Sequence, residues 1–145
     1  MINKQKRRVV VTGLGVVAPN GIGQQAFWHA AQHGQSGISL LPTTENNQPI
    51  SVVGAVNNFV AQNYVERKTI QRTDRMTHFV FAAIQEALYD AHISLEQENP
   101  QRVGAVIANT FGGTEYILRQ LKTLYTRGPR FVSAYSAIAW LQVSN

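Results

Sequence analysis

Between Asp74 and His92 the apolar residues Met76, Phe79, Val80, Ala83, Ile84, Ala87, Leu88 and Ala91 recur at alternating steps of three and one. At 3.6 residues per turn that spacing lays them along one wide stripe of an α-helix. Such a stripe has to be covered by a second layer of structure. Thr73 or Asp74 stands where a side chain can cap the first turn. The covering layer is sought in segments of strand character. Val9 to Thr12 is β-branched throughout, and Val103 to Ala108 is apolar without alternation. Both read as buried strands. Ser51 to Val56 reads as a third. Two further helices are expected. Gln24 to Gln32 carries Phe27, Ala30 and Ala31 on one face and is closed by Gly34. Thr114 to Thr126 turns Ile117, Leu121, Leu124 and Tyr125 inward, and Gly128 and Pro129 stop it. Alternating strands and helices predict an α/β fold, a parallel or mixed sheet covered by helices. No internal repeat or low-complexity tract interrupts this order.

The chain has 145 residues, 44% hydrophobic and 14% charged, which is the composition of one globular domain. No apolar run approaches the ~20 residues of a membrane span. Basic residues at Lys4, Lys6, Arg7 and Arg8 precede an apolar run broken by Gly13, Gly15 and Pro19, unlike a secretory leader. Cysteine is absent, so disulfides and thiolate metal sites are excluded, in keeping with a cytoplasmic protein. The net charge is +5, and no acid occurs before Glu45. Basic clusters fall at Arg67, Lys68, Arg72 and Arg75, and at Arg119, Lys122, Arg127 and Arg130. A basic surface draws anionic partners: nucleic acid, anionic lipid or an acidic protein. A solvated face is the plainer account of any one cluster.

Three motifs carry possible chemistry. Gly13-Leu14-Gly15-Val16-Val17-Ala18 has the glycine spacing of a dinucleotide turn. That turn must open a helix directly and be followed by an acid ~20 residues on. Pro19, Asn20, Gly21 and Gly23 follow instead, so a tight glycine turn packed against the sheet is expected. His29 and His33 have the i, i+4 spacing of zinc ligands, but Ala30 replaces the usual Glu and no acid lies near. They read as surface histidines. His78 and His92 fall at the polar edges of the long helix. Asn109-Thr110-Phe111-Gly112-Gly113 is a strand-to-helix turn, the edge of an open sheet where ligands bind. Its glycines allow close backbone approach. Phe111 is either core or a platform for an apolar chain.

The ordered set RRVVVTGLG, Phe27-Trp28, GQSGI (Gly34 to Ile38), Arg72 to Ile93, RVGAVIANTFGG (Arg102 to Gly113) and GPRFVS (Gly128 to Ser133) resembles the N-terminal part of the β-ketoacyl-acyl carrier protein synthases. The resemblance is to the elongating type, with the chain-length-factor subunits of polyketide systems as near relatives. It implies the N-terminal part of a thiolase-like fold, an α/β architecture of layered halves that dimerise. This chain would be about the first third of such a subunit, an incomplete domain over 1–145 that ends before the family's catalytic cysteine.

The family's reaction is a decarboxylative Claisen condensation of an acyl group with malonyl-carrier. It needs an activated thiolate, donors for an oxyanion and an apolar tunnel. Only the tunnel can be sought here, so the chain alone is expected to be inactive. By resemblance Phe111 stands at the mouth of the acyl pocket, and Tyr135 closes the pocket of a partner subunit. Arg67, Lys68, Arg72 and Arg75 would dock the acidic acyl carrier protein. No cofactor is implied beyond the phosphopantetheine that the carrier brings, and no metal. The implied assembly is a homodimer or a ketosynthase heterodimer, without nucleic acid or membrane. Ala134 stands where the family usually has Pro, Ser136 to Asn145 departs from the family's usual continuation, and Trp140 in particular resembles the chain-length-factor branch. Without the missing layers, a large apolar surface should stay uncovered. Two alternatives remain: a non-catalytic chain-length-factor-like subunit, and a small basic α/β module that binds nucleic acid or another anion.

Overall fold

The computed structural model describes residues 8–40 and 52–137. Lys4, Lys6 and Arg7, the loop from Pro42 to Pro49, and Trp140 lie outside the described residues.

The long helix, α3, runs Arg75–Asp90, with Asp74 in extended backbone at its N-cap. It organises the molecule. Two short antiparallel hairpins, Val17–Ala18 (β1) with Gly21–Ile22 (β2) and Ile38–Leu40 (β3) with Val52–Gly54 (β4), replace a continuous sheet among the described residues. Helix α1 spans Gln24–Gln32, the range its apolar face predicts, and Gly34 follows at φ 62°. A short helix, α2, Arg67–Arg72, precedes α3. It has no apolar stripe, which is why periodicity does not reveal it. Helix α4 spans Thr114–Arg127 and ends at Gly128, whose φ of 95° only glycine adopts readily.

The stripe of α3 is only partly covered, and by backbone rather than by a sheet: its residues are half-buried, with Ile84 exposed. The glycine segment lies directly on the helix. A Cβ at Gly13 would sit 2.1 Å from the Ala87 carbonyl oxygen, and one at Gly15 would sit 1.8 Å from that of Ala83. The small stripe residues Ala83, Ala87 and Ala91 leave room for this approach. At the start of the helix Phe59 packs edge-on against Phe79, 4.8 Å between centroids, and stacks on Tyr64. The expected packing of the glycine turn against a sheet is therefore corrected: it packs on α3.

Val9 to Thr12 and Val103 to Ala108 form no strands. Val9 is 96% exposed and Val106 100%. A strand needs a neighbour to take its N–H and C=O groups, and neither run has one among the described residues. The chain's accessible surface is 12471 Å² for 16.1 kDa. A compact monomer of that mass would expose about 7400 Å². The expected uncovered apolar surface is present.

Helix α4 also turns differently from its pattern. Tyr116, 2% exposed, is its buried residue, whereas Leu121, Leu124 and Tyr125 face outward. Its neighbours Glu115 and Arg119 bond Asp74 and Thr73 at the start of α3, and those residues define the candidate site. Among the described residues no helix is long and apolar enough to cross a membrane.

Candidate functional site

The polar edge of α3 is buried where it meets α4. Asp74 is 4% exposed and His78 6%, with Thr77 between them also buried. Asp74 does not cap its own helix. Its Oδ2 accepts the Glu115 N–H of α4 at 3.2 Å. There the carboxylate meets the positive end of the α4 dipole and satisfies one of its orphan donors. The Thr73 hydroxyl donates to the Thr69 carbonyl at 2.7 Å and lies 3.1 Å from His78 Nε2. The hydroxyl has one proton, already given to Thr69, so the His78 contact requires Nε2–H as donor. Arg119 of α4 donates to the Thr73 carbonyl at 3.2 Å and lies over the Tyr116 ring. Sequence reading placed His78 at the polar edge of the helix but gave it no partner, and so missed this joint. The available signal was Asp74 and His78 one helical turn apart.

Burial lowers the pKa of His78 from its usual value. Glu115 and Asp74 oppose that shift, and Arg119 and Arg75 add to it. The unfolded chain then binds a proton at a higher pH than the folded one does. Stability is full above the ordinary histidine range, near pH 6.5, and falls as the pH drops below it. We expect the Tm to fall between about pH 7 and pH 5, and the His78→Gln variant to lose less over that interval. Equal slopes by circular dichroism would refute the role of His78.

The four predicted docking cations do not act alike. Arg67 and Lys68 on α2 are exposed and make no side-chain hydrogen bond, ion pair or ring contact among the described residues. Arg72 lies 4.5 Å over the ring of Tyr135, joining a predicted docking residue to a predicted pocket residue. Arg75 donates to the Val56 carbonyl and lies over the Phe79 and Phe59 rings, at 5.1 and 6.0 Å. It is engaged in holding the start of α3.

Phe111 is 79% exposed, in the turn that leads into α4. Gly113 closes the turn at φ 77°, and Gly112 N–H donates to Asn109 Oδ1 at 3.3 Å. Beside it Gly112, Gly113, Thr114, Ile117 and Leu118 line a depression of ≈ 190 Å³. Phe111 is thus not core, and Tyr135 lies with Arg72 rather than beside it.

The dinucleotide reading is closed by geometry. The helix after the glycine turn begins at Gln24, and the Glu86 carboxylate accepts the Gln24 N–H there. Glu86 also accepts Val16 N–H at 2.8 Å, and Asp90 accepts Leu14 N–H at 2.9 Å. An acid already occupies the position a pyrophosphate would need. His29 and His33 stack at 4.2 Å on the exposed face of α1. Among the described residues no group of three or more potential ligands could hold a metal ion.

Residues 6–141 match the family described as "Beta-ketoacyl synthase, N-terminal domain". The chain belongs to that family. It is 40% identical over 141 residues to a putative polyketide β-ketoacyl synthase 2 of Streptomyces halstedii, covering 96% of this chain and 34% of the relative. It is 38% identical to the tetracenomycin polyketide synthase ketoacyl synthase beta subunit of Streptomyces glaucescens, covering 94% and 34%. A 3-oxoacyl-[acyl-carrier-protein] synthase 2 of Synechocystis is 33% identical, covering 93% and 33%. The chain thus spans about a third of the length of these curated relatives. Its fold is similar to that of a type II polyketide ketosynthase solved in complex with its acyl carrier protein and bound to the hexaketide. The TM-score is 0.72 at 25% identity, covering 90% of this chain and 35% of that one. The ishigamide ketosynthase/chain length factor gives a TM-score of 0.70 at 20% identity, covering 92% and 34%. The described elements are therefore the N-terminal part of a thiolase-like α/β fold.

Proposed function

We propose that this chain supplies the carrier-docking and acyl-lining part of a β-ketoacyl synthase subunit, and not its nucleophile. The observation that carries this reading is the pair Arg67 and Lys68, exposed and uncommitted on α2 while the neighbouring Arg72 and Arg75 are engaged. Two unpaired cations on one helical turn suit an acidic partner. The solved relative is itself a complex of a ketosynthase with an acyl carrier protein. In this reading the carrier brings the acyl chain on its phosphopantetheine, Phe111 meets that chain, and the subunit needs no cofactor or metal of its own. The protein works in the cytoplasm, as one subunit of a homodimer or a ketosynthase heterodimer. A second reading is a non-catalytic chain-length-factor-like subunit. It draws on the 38% identity to a ketoacyl synthase beta subunit.

The test is carrier binding, measured by calorimetric titration in a subunit completed with the two thirds that the relatives carry beyond this segment. The parent should bind an acidic acyl carrier protein, more weakly as salt rises. Reversing Arg67→Glu and Lys68→Glu should weaken binding at least about tenfold and leave the Tm nearly unchanged, since exposed charges contribute little to stability. Carrier binding undiminished by the reversal would overturn the docking reading.

A further inference from the structure

The turn at Phe111 has one local restraint, the long hydrogen bond from Gly112 N–H to Asn109 Oδ1. Phe111 is exposed, Gly112 and Gly113 have no side chains, and no strand precedes them. A turn so lightly held keeps conformational freedom unless something outside it restrains it further. The structure supplies that restraint from the other helix. Asp74 Oδ2 accepts the N–H of Glu115, two residues beyond the left-handed Gly113. Asp74 is buried, and Thr73 just before it is held from both helices: Arg119 of α4 donates to the Thr73 carbonyl, and His78 of α3 contacts the Thr73 hydroxyl. The carboxylate therefore projects from a backbone held at both the α3 and the α4 side. Asp74 has left its local task, since its own helix has no side-chain cap. A buried acid that gives up its own cap to bond a segment 41 residues away serves that segment.

We propose that Asp74 is a positioning residue for the acyl-binding turn. By holding the first turn of α4, its carboxylate sets the Gly112–Gly113 backbone and, through it, the direction of Phe111. The functional consequence rests on the proposed role of Phe111 at the acyl chain; the positioning itself does not. In a synthase of this type, loss of the clamp would loosen the selection of acyl length without touching the nucleophile or the docking cations.

The experiment uses the whole 145-residue chain labelled with 4-fluorophenylalanine, in the parent, Asp74→Ala and Asp74→Asn forms. The Phe111 fluorine resonance is assigned with a Phe111→Leu variant. Amide exchange is followed by mass spectrometry over 113–117 and over 79–87 of α3. Asp74→Ala should move or broaden the Phe111 resonance and speed exchange at 113–117 by about tenfold, with 79–87 nearly unchanged. Asp74→Asn, which keeps an acceptor oxygen but loses the charge, should give the same changes at a smaller size. It also guards against an alanine variant that fails to fold. A folded Asp74→Asn chain with parental resonance and parental exchange would overturn the proposal. So would uniformly faster exchange along the chain with the Phe111 resonance unmoved, because Asp74 would then only stabilise. Neither readout involves a carrier protein, so failure of the docking reading and failure of the clamp are separate results.

Discussion

Replacing Gly15 with alanine should cost the chain about 3 kcal/mol or more, the upper end for overpacking a filled site. The added Cβ would stand 1.8 Å from the Ala83 carbonyl oxygen and 2.7 Å from its carbon. Both are backbone atoms in the middle of α3 and cannot rotate aside as a side chain would. Either the glycine segment lifts off the helix or the helix bends. Gly104 provides the control, because a Cβ there meets nothing within 4 Å. Gly104→Ala should shift the urea midpoint little. If Gly15→Ala unfolds at the parental midpoint, the close docking of the glycine segment on α3 is wrong.

Glu86→Ala should be nearly as damaging, at about 2–4 kcal/mol. It leaves the N–H groups of Val16 and Gln24 without their acceptor, and an unsatisfied part-buried donor costs about 1–3 kcal/mol. It also removes a negative charge from the N-terminus of α1, where the dipole favours one. Glu86→Gln keeps one acceptor oxygen and should lose about half as much. Denaturant melts of the three proteins order these costs. A Glu86→Ala chain as stable as the parent would mean that water replaces the carboxylate without loss.

Periodicity and punctuation made the helices legible. The bounds of α1 follow from Phe27 and Ala30 with Gly34 behind them, and those of α4 from Gly113 and Gly128. The apolar stripe of α3 was equally plain, but its covering was not. A stripe read from sequence says that something lies on it, not whether that is a strand or a glycine backbone. The two valine-rich runs show the limit of strand patterns. Val9 to Val11 and Val106 have the residues of buried strands and the exposure of unpaired ones, because pairing depends on neighbours that local composition does not contain. The site was half legible for a similar reason. A family resemblance placed Arg67, Lys68 and Phe111, all exposed, by order along the chain. Asp74 and Glu86 act through partners 41 and up to 70 residues distant, and no local pattern marks such a partner.

The acids of α3 that hold the N-terminal glycine segment also impose an order in time. Leu14 and Val16 reach their acceptors across 76 and 70 residues. Closing loops of that length costs about 4 kcal/mol in chain entropy before any contact repays it. Contacts so distant form late and slow the folding that depends on them. During synthesis the glycine segment emerges before α3, and it has nothing to rest on until the ribosome has passed Asp90 and α3 has formed. For that interval its three exposed valines are an unpaired apolar edge, the kind of segment on which nascent chains aggregate or recruit chaperones.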